Sequence, residues 1–131
     1  MRPLTIFIVD DHTGFRALIR ELLGSCAAIL QSGNPQFIEC ATAEEALARS
    51  AQTPPDLITM DLRLPGMDGY ECVRQLRPAV PRAVIVLVTY LRDKTVSERA
   101  LKAGADAVVF KDDLSLIPVL MRECLALGRP A

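Results

Sequence analysis

Short apolar runs alternate with longer amphipathic segments along this chain. Five of the runs are rich in aliphatic and β-branched residues, and they span Leu4–Val9, Phe37–Cys40, Leu57–Met60, Val84–Val88 and Ala107–Phe110. Runs this short and this apolar are typical of strands that are buried on both faces of a parallel sheet. Because each run is followed by a segment long enough to form a helix, the pattern predicts five strands that alternate with five helices.

The segments between the runs carry signals for the starts and ends of helices. Thr42 with Glu45, and Asp68 with Glu71, have the spacing of capping boxes. Gly104 is expected to end the fourth helix, since glycine readily adopts the left-handed conformation found there. The first helix is expected to be broken by Gly33-Asn34-Pro35, and the fifth is expected within Leu114–Leu127. The connection Cys26–Gln36 looks slightly long for this scheme.

Composition indicates one small domain outside the membrane. The 131 residues are 50% hydrophobic, which suffices for a single core. A formal net charge of −1, from 15 basic and 16 acidic residues without a basic stripe, predicts no direct binding of nucleic acid. No apolar run is long enough for a membrane span or a signal peptide. The four cysteines lack metal-ligand spacing, which favours free thiols over a disulfide and predicts a cytoplasmic protein.

Charged residues directly follow three of the apolar runs. Asp10 and Asp11 follow the first run, Asp61 follows the third, and Lys111 follows the fifth. In an open α/β sheet, ligands bind in the crevice at the carboxyl ends of the strands. Carboxylates gathered there repel one another unless a cation joins them, and Mg²⁺ is the ion that prefers such oxygen ligands beside phosphate. The pattern therefore predicts a magnesium-dependent site for phosphoryl transfer.

These residues and their order resemble a known family, the receiver domain of two-component response regulators. The resemblance is carried, in order along nearly the whole chain, by Val9-Asp10-Asp11-His12, the loop Met60–Gly69, Thr89 after an apolar strand, and Ala103-Gly104-Ala105 leading to Lys111. The details around the acidic pair and the lysine are most similar to the NarL/FixJ-type subgroup, whose members often carry a helix-turn-helix output domain.

This resemblance implies an α/β fold of CheY-like type. The expected architecture is a (βα)5 flavodoxin-like three-layer sandwich around a five-stranded parallel sheet of strand order 2-1-3-4-5. The receiver domain is expected to span residues 1–127, with residues 128–131 as a C-terminal tail or the start of a linker.

The resemblance also assigns roles at the predicted site. Asp61 is the expected phosphoacceptor, and Thr89 and Lys111 are expected to contact phosphoryl oxygens. A protein of this kind catalyses only its own phosphoryl transfer and dephosphorylation, so we expect no enzyme acting on an external substrate.

The expected metal ligands for Mg²⁺ are Asp11, Asp61 and the backbone carbonyl of Arg63, with Asp10 acting through a bound water. His12 follows the acidic pair, but a lone histidine without a positioned partner is interpreted as structural or exposed.

Partners follow from the same resemblance. The expected phosphodonor is a sensor histidine kinase or a histidine phosphotransfer protein. The expected output is a downstream effector protein or a DNA-binding domain, with possible homodimerisation. In the family the surface that changes corresponds here to Thr95–Ala103, Ala107–Phe110 and Leu114–Leu127.

Three positions depart from the family pattern. Val108 replaces an aromatic residue that usually acts in switching, and Tyr90 replaces a small residue beside the site. Asp112 replaces a proline, so we expect a trans peptide after Lys111.

Two other functions remain open. A scaffold of the same fold would bind partners without phosphorylation, but a buried cluster of charges is costly without a role. A Mg²⁺-dependent phosphohydrolase is the second alternative. Arg63 stands two residues after Asp61, where such an enzyme would use a second acid, and no substrate-cap insertion is visible.

Overall fold

The computed structural model describes residues 2–31 and 33–127 and has a five-stranded sheet at its centre. The strands are β1 Thr5–Val9, β2 Gln36–Cys40, β3 Leu57–Asp61, β4 Val84–Thr89 and β5 Ala107–Phe110. They are all parallel and lie in the order β2-β1-β3-β4-β5, which confirms the predicted α/β fold and strand order. Four of these strands differ from the predicted runs by one residue at one end, and β5 agrees at both.

Helices cover both faces of the sheet. The helices are α1 Thr13–Gly24, α2 Ala27–Leu30, α3 Ala43–Gln52, α4 Gly69–Ala79, α5 Lys94–Ala103 and α6 Ile117–Leu127. On one face α1 and α6 pack together with the short helix α2; on the other face α3, α4 and α5 lie side by side. A single 3-10 turn, Leu114–Leu116, leads into α6.

Each apolar strand supplies side chains to two separate cores, because successive strand residues point to opposite faces. Along β1, Phe7 belongs to the core under α3, α4 and α5, while Ile6 and Ile8 belong to the core under α1 and α6. All three side chains are at most 1% exposed. The continuous apolar runs therefore reflect burial on both faces of the sheet.

Both predicted N-cap residues cap their helices, but without the reciprocal bonding of a capping box. The Thr42 hydroxyl accepts the Glu45 backbone N–H at 3.1 Å, and Asp68 Oδ1 accepts the Glu71 backbone N–H at 2.9 Å. The Glu45 carboxylate returns to the backbone N–H of Ala41 at 2.8 Å, but that of Glu71 contacts side chains further along its own helix instead. The Glu45 bond reaches the residue before the N-cap Thr42, so neither pair forms the full reciprocal capping box.

The prediction for the end of the first helix was wrong. Helix α1 ends at Gly24, and the chain then makes the separate turn α2 before it reaches Gly33. Ile29 in α2 is fully buried in the core under α1 and α6, so this turn is held by packing. The long connection noted in the sequence is explained by this extra turn. Residues 128–131, predicted as a tail or linker, lie outside the described residues.

The cysteines are free thiols, as predicted. Cys26, Cys40 and Cys72 are buried, and Cys124 is half-buried. Burial raises the pKa of Cys40 to about 11 and that of Cys72 to about 12, so both thiols are protonated and unreactive at neutral pH. Across residues 2–31 and 33–127, no helix has the length and apolarity needed to span a membrane.

Candidate functional site

An acidic cluster lies where β1 and β3 end. Asp10 and Asp11 follow β1 directly, and Asp61 is the last residue of its neighbour β3. One carboxylate oxygen from each of the three residues lies within 4.8 Å of those of the other two. Adjacent strands of a parallel sheet end at the same edge, so the fold brings together the three acids that the sequence singled out.

Lys111 reaches this cluster from the far edge of the sheet. It follows β5, which is separated from β3 by β4. Its Nζ lies 2.8 Å from Asp10 Oδ2 and 3.2 Å from Asp61 Oδ1, and its side chain is 8% exposed. Burial disfavours the charged ammonium, but the bond to Asp10 and the negative charges of Asp61 and Asp10 outweigh it and raise the pKa of Lys111. The group therefore stays charged at neutral pH.

Asp61 lies in an electrostatically unfavourable position. Burial and then the negative charge of Asp10 raise the pKa of Asp61, and the ammonium of Lys111 only partly opposes them. The three acidic side chains of the cluster outnumber the single ammonium of Lys111 by two. The nearby guanidinium of Arg16 is paired with Glu39 at 3.1 Å. The cluster thus suits a divalent cation with a preference for oxygen.

The loop after β1 fixes Asp10 and begins α1. Asp10 Oδ1 accepts the backbone N–H of His12 at 2.8 Å, while Oδ2 accepts from Lys111. His12 is the N-cap of α1, and its Nδ1 accepts the backbone N–H of Phe15 at 3.0 Å. The interpretation of His12 as structural is confirmed. Asp11, in contrast, is exposed at the rim of the cluster.

Gly69 lets α4 start directly on the backbone of Asp61. A Cβ at Gly69 would lie 2.4 Å from the Asp61 carbonyl oxygen and 2.8 Å from Leu62 Cα. The Gly69 N–H donates to the Leu62 carbonyl at 2.7 Å. Glycine is needed here because of close approach between backbones, and this anchors the strand end that carries the acid.

Thr89 lies at the end of β4 beside Asp61. Its side chain is 3% exposed and lines a cavity of about 280 Å³ together with Asp61, Arg63, Tyr90, Leu91 and Lys111. The Thr89 hydroxyl oxygen accepts the Leu91 backbone N–H at 3.1 Å, and the Thr89 carbonyl accepts the Lys111 backbone N–H at 2.8 Å. The hydroxyl proton remains able to donate to a group in the cavity.

The structure locates the three residues that depart from the family pattern. Tyr90 is 66% exposed and lines both this cavity and a second one that contains Asp10, Asp11 and Phe15. Val108 is partly buried in the core under α3, α4 and α5. The peptide after Lys111 is trans, as predicted.

The sequence reasoning missed Phe15 and Gly69 as parts of this site. In the sequence Phe15 has only the apolar character of a core-facing helix position, yet its ring centre lies 4.2 Å from Lys111 Nζ. For Gly69, the available signal was its position between the predicted cap Asp68 and the apolar Tyr70, because a glycine at the start of a helix can indicate close approach of another backbone. Neither contact follows from local pattern: Phe15 and Lys111 are distant in the chain, and the approach of Gly69 to Asp61 depends on the conformation of the loop between them.

Comparison with known proteins agrees with this geometry. Residues 6–117 match the family described as the response regulator receiver domain. The response regulator protein VraR of Staphylococcus aureus is 36% identical over 109 residues, which cover 82% of this chain and 49% of that protein. The chain therefore spans about half the length of the curated relatives it matches.

Solved structures give the same result. A LuxR-family two-component response regulator from an Aurantimonas species superposes with a TM-score of 0.82 at 30% identity, covering 96% of this chain and 87% of that one. The BeF3-activated DrrB receiver domain has a TM-score of 0.77 at 23% identity over 94% of this chain and 97% of that one, a likeness of fold alone. The chain belongs to the receiver-domain family of response regulators, and its likeness to VraR and to the LuxR-family protein supports the predicted NarL/FixJ-type subgroup.

Proposed function

We propose that Asp61 accepts a phosphoryl group from a phosphohistidine of a sensor histidine kinase or of a histidine phosphotransfer protein. The observation that supports this most strongly is the acidic cluster, in which three carboxylates converge and one ammonium contacts two of them. Two of these carboxylates, Asp10 and Asp61, are buried, and a buried net negative charge is costly unless it binds a cation and serves chemistry.

Mg²⁺ is the cation that this donor set fits. Asp11, Asp61 and the backbone carbonyl of Arg63 would hold the ion, with Asp10 acting through a water molecule. When bound, the ion neutralises charge on the transferring phosphoryl oxygens.

Asp61 acts as the nucleophile. One of its carboxylate oxygens forms the bond to phosphorus while the P–N bond of the phosphohistidine breaks, and the imidazole nitrogen keeps the electron pair. The product is an acyl phosphate. The carboxylate must be ionised to attack, so the raised pKa of Asp61 makes neutral rather than acidic pH favourable.

Lys111 and Thr89 bind the negatively charged oxygens of the added phosphoryl group. The ammonium already lies 3.2 Å from Asp61 Oδ1, and it supplies a point charge for one phosphoryl oxygen. The Thr89 hydroxyl donates to another, and its bond to the Leu91 N–H couples this change to the loop before α5. Phosphorylation thereby biases the face formed by α5, β5 and α6 between two arrangements.

The proposed function has consequences for the extent, location and partners of the protein. The receiver unit comprises residues 1–127, acts in the cytoplasm, and turns over no external substrate. Its output passes to an effector protein or to a DNA-binding domain, and a second copy of the chain is a further possible partner of the α5-β5-α6 face.

Intact-protein mass spectrometry after incubation with acetyl phosphate and Mg²⁺ tests the proposal. We expect one added phosphoryl group, which is lost in Asp61→Asn and when the metal is chelated. Asp68→Asn is the matched control, because this carboxylate caps α4 away from the cluster and should leave the adduct unchanged.

The absence of an adduct, under conditions in which another receiver domain is modified, would contradict the proposal and favour a scaffold. Catalytic turnover of a phosphomonoester would instead support the phosphohydrolase.

A further inference from the structure

An aromatic ring lies against the ammonium of the site. The Phe15 ring centre is 4.2 Å from Lys111 Nζ, and the ring of Tyr90 is 5.6 Å from the same nitrogen. Both distances lie within the range of cation–π attraction, which is strongest where the cation is shielded from water. The Lys111 side chain is 8% exposed, so the contact with Phe15 is made in a shielded site.

The cap of α1 fixes the backbone of Phe15, which carries the ring. Phe15 is the third residue of α1, and its backbone N–H is bonded to the capping Nδ1 of His12. The His12 N–H is in turn bonded to Asp10, whose other carboxylate oxygen accepts from Lys111. The four residues therefore form one closed chain of contacts, in which the carboxylate and the ring fix the ammonium together.

The Phe15 ring and the carboxylates of Asp10 and Asp61 differ in how the reaction affects their contact with Lys111. The carboxylate oxygens of Asp10 and Asp61 are the groups that a metal ion and the incoming phosphoryl group also engage, so their hold on Lys111 weakens as the site fills. The ring of Phe15 has no such competing partner. A lysine has a flexible four-carbon stem, so without the ring its ammonium would be held less firmly until it meets a phosphoryl oxygen.

We propose that Phe15 is a positioning residue for phosphoryl transfer to Asp61: its ring holds the Lys111 ammonium at the acidic cluster while the carboxylates engage other partners. This inference rests on the proposed function, because it concerns the rate of that reaction.

The competing explanation is that Phe15 only fills space. Phe15 does pack against the core under α1 and α6, where it is partly buried. Phe15→Leu separates the two roles, because leucine keeps an apolar side chain at this position but has no π-face. Phe15→Tyr keeps the ring, and Phe15→Met is a second apolar replacement that keeps the test available if the leucine variant folds poorly.

Nuclear magnetic resonance of the lysine side chains gives a readout that needs no phosphorylation. The chain contains three lysines, so single Lys→Arg substitutions of Lys94 and Lys102 assign their signals directly. In the unmodified protein we expect the ε-methylene signals of Lys111 to show a ring-current shift that the other two lysines lack. This shift should be strongly reduced in Phe15→Leu and Phe15→Met and kept in Phe15→Tyr. The variant Tyr90→Leu measures the share contributed by the second ring.

Phosphorylation by acetyl phosphate at saturating Mg²⁺ completes the experiment. We expect the maximal rate to fall by about tenfold in Phe15→Leu, as loss of a shielded cation–π contact implies, and to be largely restored in Phe15→Tyr. An unchanged rate in both apolar variants, or a Lys111 signal without a ring-current shift in the parent protein, would overturn the inference. If the parent protein takes up no phosphoryl group at all, the proposed function itself fails, and the spectra then show only that the ring contacts the ammonium.

Discussion

Gly69→Ala is expected to damage the fold and the site together. The new methyl group would lie 2.4 Å from the Asp61 carbonyl oxygen, 2.8 Å from Leu62 Cα and 3.1 Å from the Asp61 carbonyl carbon. All three are backbone atoms, so no flexible side chain can move aside. Either the start of α4 or the end of β3 must shift.

The expected cost has two parts. Overpacking of this kind costs about 1–3 kcal/mol. The Gly69 N–H bond to the Leu62 carbonyl, 2.7 Å long, is strained by the same shift, and its loss would add about 1 kcal/mol. We therefore expect the free energy of unfolding to fall by about 2–4 kcal/mol, with slower phosphorylation because Asp61 is carried on the displaced strand end.

Urea unfolding followed by circular dichroism measures the first effect, and the rate of adduct formation with acetyl phosphate measures the second. Gly24→Ala is the matched control. A Cβ there meets nothing closer than 4.0 Å, so the helix α1 should be unchanged or slightly more stable. If Gly69→Ala and Gly24→Ala had the same stability within about 0.5 kcal/mol, the close approach inferred at the site would be refuted.

Three further predictions concern charge and capping. Burial and the charge of Asp10 raise the pKa of Asp61 in the folded state, so the metal-free protein loses stability as the pH rises from the ordinary pKa of 3.8 through the raised one. Thermal melts should therefore show that Asp61→Asn is more stable than the parent protein at neutral pH. This difference in stability should disappear near pH 3.8. Arg77→Met should lower the free energy of unfolding in urea by about 2–4 kcal/mol, because this half-buried guanidinium bonds three backbone carbonyls and the Asp106 carboxylate. Arg74 is exposed, so the control Arg74→Met should change the same free energy by less than about 1 kcal/mol. His12→Ala should cost about 1 kcal/mol through loss of the α1 cap, while His12→Asn should cost less, and equal losses in both would argue against the cap.

The sheet and the acidic cluster were predictable because local pattern determines both. A run such as Val84–Val88 is apolar at every position, which only burial on both faces explains. Asp10, Asp11 and Asp61 follow such runs, and the topology of a parallel sheet then brings them to one edge. No knowledge of side-chain packing was needed for this step.

Other parts of the site depend on contacts that the pattern does not contain. Phe15 has the same apolar character as other positions of α1, and only the fold shows that it faces Lys111. The short helix α2 was missed because its four residues are too few to show a helical period. Thr89 was found as a hydroxyl after a strand, but its bond to Leu91 depends on the conformation of the loop.

The contact between Lys111 and Asp10 joins residues that are 101 positions apart in the chain. It can form only after β5 has been added beside β4, at the opposite side of the sheet from β2. Contacts of such long sequence separation slow folding, because the entropic cost of closing the chain precedes the gain from the contact. A nascent or partly unfolded chain would already carry the acidic residues but would lack their ammonium. Competence to be phosphorylated would then be acquired only when the last strand is in place, which would keep incomplete molecules from taking up the signal.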